Sequence, residues 1–160
     1  MAVLSKAAPP VDRTVASMFA SLNSTGMPAL DAGEDFARAR RAQLAARATR
    51  WLRARRRPPH PPTLPDTAER PGRAARLAVI ALDEIVGTVE PSPHFDARFR
   101  PASAHLRARW VRVALAHRTG VALPPITVVR GPGGYYVVDG RHRVSVALAT
   151  GRREIDAWIR

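Results

Sequence analysis

In Tyr135-Tyr136-Val137-Val138-Asp139-Gly140-Arg141-His142-Arg143-Val144-Ser145-Val146-Ala147-Leu148-Ala149-Thr150-Gly151 a strand-forming run meets a helix-forming run at a single glycine. An aromatic and β-branched run leads into Asp139-Gly140, and an Ala/Val/Leu run without Pro then continues to Gly151. The pattern predicts a strand over Tyr135–Val138, a tight junction, and a helix over Arg141–Thr150 with Val144, Ala147 and Leu148 inward and Gly151 as its stop. The junction places Arg141, His142 and Arg143 in the first helical turn. A helix N-terminus carries unpaired N–H groups and partial positive charge, so it holds anions. Gly140 lets the backbone bend and approach a ligand. Arginine adds charge-assisted, often bidentate bonds to phosphate oxygens. Three consecutive residues span about 200° around the axis, so two of the three face one anion well. Cations in a first turn are electrostatically unfavourable, which argues for a compensating anion. Asp139 either caps the helix or holds Mg²⁺ against a phosphate. A solvated pair of charges is the alternative reading of Arg141 and Arg143.

Working outward, Ile126–Val129 reads as a strand joined to Tyr135–Val138 by the turn Gly131-Pro132-Gly133-Gly134, which makes a hairpin. Ser103–Thr119 reads as a helix stopped by Gly120, with Leu106, Trp110, Val113, Ala114 and His117 inward. Leu77–Leu82 reads as a strand ending in a turn at Asp83-Glu84-Ile85, Pro91–Pro101 as a polar loop, and Glu154–Ile159 as a last strand. Trp110 and Trp158 are expected in the core, with one of Tyr135 and Tyr136 buried and the other exposed. The expected class is α/β in the broad sense, α+β: a small domain over 76–160. Before it come a loose N-terminus over 1–33 with a short amphipathic helix (Val15, Met18, Phe19, Leu22), an Arg-rich helix over 34–57, and a Pro-rich linker over 58–75. The Arg-rich helix is read as an arm with one apolar stripe, Leu44, Ala48, Trp51 and Leu52.

The chain has 160 residues, 26 basic and 13 acidic, net +13. This length bounds the answer at one compact domain with arms, or two very small ones. There are no cysteines, which excludes a disulfide framework, thiolate metal sites and a Cys nucleophile. No apolar run approaches the ~20 residues of a membrane span, and no signal-peptide core is seen at the start, so the expected location is cytoplasmic. The basic residues are 25 Arg and one Lys, Lys6, a ratio that a GC-rich coding bias also produces. Position therefore matters more than number. Residues 36–76 carry twelve basic and two acidic groups, and the rest of the chain only +3.

The ordered motifs of residues 77–160 resemble the ParB N-terminal/sulfiredoxin-like fold. They run from Ile80-Ala-Leu-Asp-Glu-Ile85 through the Pro-Ser-Pro-His loop, Leu123-Pro-Pro-Ile-Thr-Val-Val and the Gly-rich hairpin to Asp139-Gly140-Arg141-His142-Arg143. ParB-type domains carry Gly-Glu-Arg-Arg at this junction and sulfiredoxins Gly-Cys-His-Arg. The chain also resembles uncharacterised bacterial ParB-like proteins with an Asp-Gly-His-His-Arg-Val-Ser-Val-Ala junction, an upstream helix like Asp35–Arg41 and a loop like Phe95–Pro101. The resemblance implies nucleotide phosphate binding, of CTP or ATP with Mg²⁺, at Gly140, His142 and Arg143, with Arg141 a weaker candidate. Arg141 replaces the sulfiredoxin nucleophile, so sulfinic-acid repair is not expected. A ParB-type DNA clamp is not expected either, since its later domains have no room after Arg160.

Two further places carry candidates. The loop residues His94, Asp96, Arg98 and Arg100, between Phe95 and Phe99, are expected either to line a phosphate pocket or to lie on the surface. Arg38, Arg41, Arg47, Arg50 and Arg53 of the basic helix suit phosphate-tracking contacts with DNA or RNA, an acidic protein partner, or plain solvation. Trp51 either stacks on bases or, the expected case, packs on the domain. The leading expectation is a nucleotide- or phosphate-binding module. The alternatives are a nucleic-acid binder acting through the basic helix, and a small-molecule kinase or nuclease using Asp139, Glu154 or Asp156.

Overall fold

The computed structural model describes residues 24–52, 60–65 and 75–160. Strands β1 (Arg76–Ala81), β2 (Ile85–Thr88), β3 (Ile126–Gly131), β4 (Gly134–Asp139) and β5 (Glu154–Ile159) form one mixed sheet in the order β1-β5-β3-β4-β2. With helices α1 (Pro28–Leu52), α2 (Arg107–Arg118) and α3 (Arg141–Ala149) this is an α+β architecture, as expected from the sequence. The β3–β4 pair is an antiparallel hairpin, and both β2–β4 and β3–β5 run parallel.

Alternation sets the core. Ile80, Ile126, Val128, Tyr135, Val137 and Ala157 face one side of the sheet, where Val144 and Ala147 of α3 pack with Phe99. The opposite flank of α3 gives Val146 to a second cluster with Ala32 and Phe36 of α1 and Trp110 and Ala114 of α2. Helix α3 is therefore buried on two sides. Ser145 fixes it further by accepting the Trp110 indole N–H at 2.8 Å.

The N-terminal half differs from what its sequence pattern predicts. The Arg-rich helix begins at Pro28, not Glu34, and is a packed element of the domain rather than an arm. Proline suits the first helical position, where its missing N–H and fixed φ cost nothing. The turn before it folds back: Thr25 N–H and its hydroxyl donate to Asp31 at 2.8 Å each, and Ser24 donates at 2.9 Å. The buried face is Asp31, Ala32, Asp35, Phe36, Ala39 and Gln43, mostly small residues that admit α2 closely. Phe36 meets Trp110 edge-on at 5.6 Å. The expected stripe is on the wrong side: Leu44 is 46% exposed and Trp51 83%. Trp158 lies on the outer sheet face, 39% exposed, while both Tyr135 and Tyr136 are buried.

The Pro-rich segment does more than link. Thr63 forms a parallel bridge with Thr88, so residues 62–64 extend the sheet beside β2. The backbones approach so closely that a Cβ on Gly87 would meet the Pro62 oxygen at 2.2 Å. Tyr136 packs under this cover, its hydroxyl donating to Pro132 O at 3.0 Å. The expected helix around Val15–Leu22 lies outside the described residues, as do 53–59 and 66–74.

Arg118 of α2 bonds Asp35 at 2.7 Å and Asp31 at 3.5 Å, with these carboxylates 3% and 2% exposed. Removing the cation from a buried pair leaves uncompensated charge, unlike removal at a surface pair. Arg118→Ala is expected to lower the thermal unfolding midpoint well beyond Arg38→Ala, whose guanidinium is 45% exposed beside the same Asp35. Equal midpoints for the two variants by circular dichroism would show that the buried pair does not anchor α1.

Candidate functional site

Strand β4 ends at Asp139, and the chain turns into α3 at Gly140, whose φ is +105°. A Cβ at Gly140 would stand 2.5 Å from Ile126 Cγ2 and 2.8 Å from Ile126 Cβ. The residue must therefore be glycine both for its dihedral and for its contact with β3. No side chain caps α3, so the N–H groups of its first turn remain for an outside acceptor. Asp139 does not cap: it pairs with Arg143.

This junction forms one wall of a cavity of about 560 Å³. Asp139, Gly140, Arg141, His142 and Arg143 line it together with His94, Ser92 and Phe95 from the 91–101 loop, His105, Leu106, Arg109 and Val113 around α2, and Leu123, Pro124 and Val138. The charges are one-sided. Three arginines and three histidines face a single carboxylate, Asp139, already engaged by Arg143. The apolar walls are Phe95, Leu106, Val113, Leu123, Pro124 and Val138.

The two arginines of the junction differ in what holds them. Arg143 donates to Pro124 O, to Pro125 O at 2.8 Å and to Asp139. It ties the strand end and α3 to the segment before β3. Among the described residues Arg141 has one partner, Glu90 at 3.3 Å, and that carboxylate is largely exposed; its buried Nε has no hydrogen-bond partner among them. Arg109, which the sequence reading did not single out, has no hydrogen bond or ion pair among the described residues and lines the same cavity. It follows Leu106 by three residues and precedes Val113 by four, so it shares their helix face; that spacing was the available signal.

His142 packs edge-on against Phe95 at 5.2 Å, and its buried Nε2 has no hydrogen-bond partner among the described residues. Burial, the charges of Arg109 and Arg141, and His94 lower its pKa to about 4, with Asp139 opposing weakly. It is a neutral imidazole at pH 7.

Of the loop candidates, only His94 reaches this cavity. Asp96 is a structural knot: it accepts the backbone N–H of Arg98 at 2.9 Å and of Arg100 at 3.0 Å, and pairs with the Arg100 guanidinium at 2.8 Å. Arg100 also donates to Ala42 O of α1 at 3.0 Å. Phe99, at a φ of +56°, turns the chain so that Arg98 and Arg100 face a separate cleft between α1 and α3. Glu154 and Asp156 line a neighbouring cavity, which shares Leu123, Pro124 and Arg143 with the first but is not lined by Asp139. No group of three or more potential metal ligands occurs among the described residues. No helix among them is long and apolar enough to cross a membrane. Of the basic-helix candidates, Arg38 pairs with Asp35, Arg41 and Arg47 are exposed, Arg50 is half-buried, and Arg53 lies outside the described residues.

Compared with known proteins, the chain matches no family model, no curated sequence and no solved structure.

Two measurements follow. Gly140→Ala is expected to destabilise by about 2–4 kcal/mol, combining the left-handed backbone cost with overpacking. A urea midpoint within experimental error of the parent would overturn the junction geometry. For His142 the folded pKa lies below the unfolded value of 6.5, so the unfolded chain binds the extra proton first. Stability is therefore expected to fall as pH drops from about 6.5 to about 4, and to be flat in this group above that. His117 is shifted the same way, by burial first and then by Arg152 and Arg118. His142→Gln should flatten part of the slope; an unchanged slope would remove His142 from the account.

Proposed function

We propose that the cavity at the β4–α3 junction binds the phosphate groups of a nucleotide, and that the chain is a phosphate-binding module of the ParB/sulfiredoxin-like kind. The observation that carries this reading is the one-sided charge of the cavity beside an uncapped helix N-terminus. An anion there meets unpaired N–H groups and two arginines from different helices. Arg141 is held only by an exposed carboxylate, an interaction worth little, and a phosphate competes with Glu90 easily. Arg109 is free to close from the other side. Arg143 serves as the clamp that sets the junction and contributes its charge, while Gly140 gives close backbone approach. Ser92 adds a hydroxyl with no hydrogen-bond partner among the described residues. The apolar walls suit the base and sugar of the same ligand.

CTP and ATP both fit this chemistry. For Mg²⁺ the fit is poorer. Asp139 is the one carboxylate on the wall and is paired, so a magnesium ion would be held mainly by the phosphates and water. The arginines supply neutralisation without it.

Calorimetric titration with CTP, ATP, GTP and UTP, with and without Mg²⁺, tests the reading. At least one triphosphate is expected to bind, and Arg141→Ala or Arg109→Ala to weaken it by about tenfold or more, the loss of one charged hydrogen bond. No binding of any nucleotide, or unchanged affinity in both variants, would sink the proposal.

A further inference from the structure

We propose that the outward face of α1 is a binding surface for single-stranded nucleic acid, separate from the cavity. Residues 36–52 contain five arginines and no acid. The acids of α1 stand in its first third, and two of them, Asp31 and Asp35, are buried against Arg118. The positive charge beyond is therefore not compensated along the helix. Arg40 bonds Gln43, but Arg41, Arg47 and Arg50 have no acidic partner among the described residues.

Charge alone would fit any polyanion. The aromatic narrows it. Trp51 is 83% exposed, an unusual position for the side chain with the most apolar surface to bury. At about 100° per residue, Leu44 and Trp51 project within about 20° of each other and about 10 Å apart along the axis. Arg40 and Arg47 lie to one side of this line and Arg41 to the other. A free indole bracketed by guanidinium groups offers a stacking platform for unpaired bases and charge for the backbone between them. A duplex presents its phosphates but keeps its bases stacked, so it makes no use of the indole. An interfacial membrane helix needs a broad, continuous apolar face, whereas the exposed large apolar side chains of α1, Leu30, Leu44 and Trp51, stand about two to four turns apart along it.

The test is fluorescence anisotropy of the full chain with labelled oligo(dT), a duplex of equal length, and vesicles of phosphatidylserine and phosphatidylcholine. The single strand is expected to bind more tightly than the duplex. Neutralising three phosphates would raise Kd roughly 20-fold between 50 and 200 mM salt. Trp51→Ala is expected to weaken binding about fivefold or more, with Trp51→Phe retaining most of it. The double variant Arg41→Ala, Arg47→Ala is expected to lose about tenfold or more. Since these side chains are exposed, the melting temperature of each variant should match the parent, which separates lost binding from lost folding. Equal affinity for duplex, indifference to Trp51→Ala, binding to vesicles alone, or no oligonucleotide binding at low salt would each overturn the proposal.

Discussion

The contact between Gly140 and Ile126 fixes how β3, β4 and α3 meet. It is a place where β3 and the end of β4 come closer than any side chain on residue 140 would permit. Because the chain turns there with a left-handed φ, α3 starts directly at the end of β4. Its body then runs between the sheet core and the α1–α2 cluster. Val144 and Ala147 serve the first and Val146 the second. A wider turn would shift α3 along its axis and pull both clusters out of register. The same turn leaves the first N–H groups of α3 facing the cavity. Packing and site geometry thus share one cause, and Arg143 locks it by bonding the carbonyls of Pro124 and Pro125 just ahead of Ile126.

Guanidinium groups do two kinds of work here. Arg118, Arg100 and Arg143 are internal struts: each reaches from its own element to carboxylates or carbonyls of another. Such groups are costly to bury unless fully partnered, and these are well partnered. Among the described residues, Arg109, Arg141, Arg41 and Arg47 have weak partners or none. A chain rich in arginine through coding bias would still have to place its arginines in one group or the other. The partner lists, not the total of +13, separate scaffold from candidate binding groups.

Strands β1 and β5, the β3–β4 hairpin and α3 are legible because alternation, glycine punctuation and helix stops all lie within each segment. The start of α1 was not: Pro28 and Gly33 read as breakers in sequence, but proline is favourable at a helix start and one internal glycine is tolerated. Strand β2 was missed because Ile85–Thr88 is four residues long and contains Gly87, with its partner β4 far away in the chain. The bridge from Thr63 to Thr88 could not be read from a run of prolines. Trp51 and Trp158 were placed inside because indole usually is, yet burial depends on what covers a face, and that is a property of the assembled layers. At the site, the junction residues were legible from the strand–glycine–helix pattern. The split between Arg141 and Arg143 was not, since it rests on Pro124, Pro125 and Glu90, residues distant in sequence.

His142 links the electrostatics of the cavity to its proposed occupant. Its ring is kept neutral by burial first and by the charges of Arg109 and Arg141 second. Those same charges have no strong anion nearby, since Asp139 is paired with Arg143 and Glu90 is exposed. The cavity therefore holds unbalanced positive potential, and His142 responds by staying unprotonated. On the proposed reading, a bound phosphate supplies the missing charge. It removes the repulsion that lowers the His142 pKa and gives nearby donors an acceptor. Protonation of His142 and binding of an anion are then coupled in the same direction.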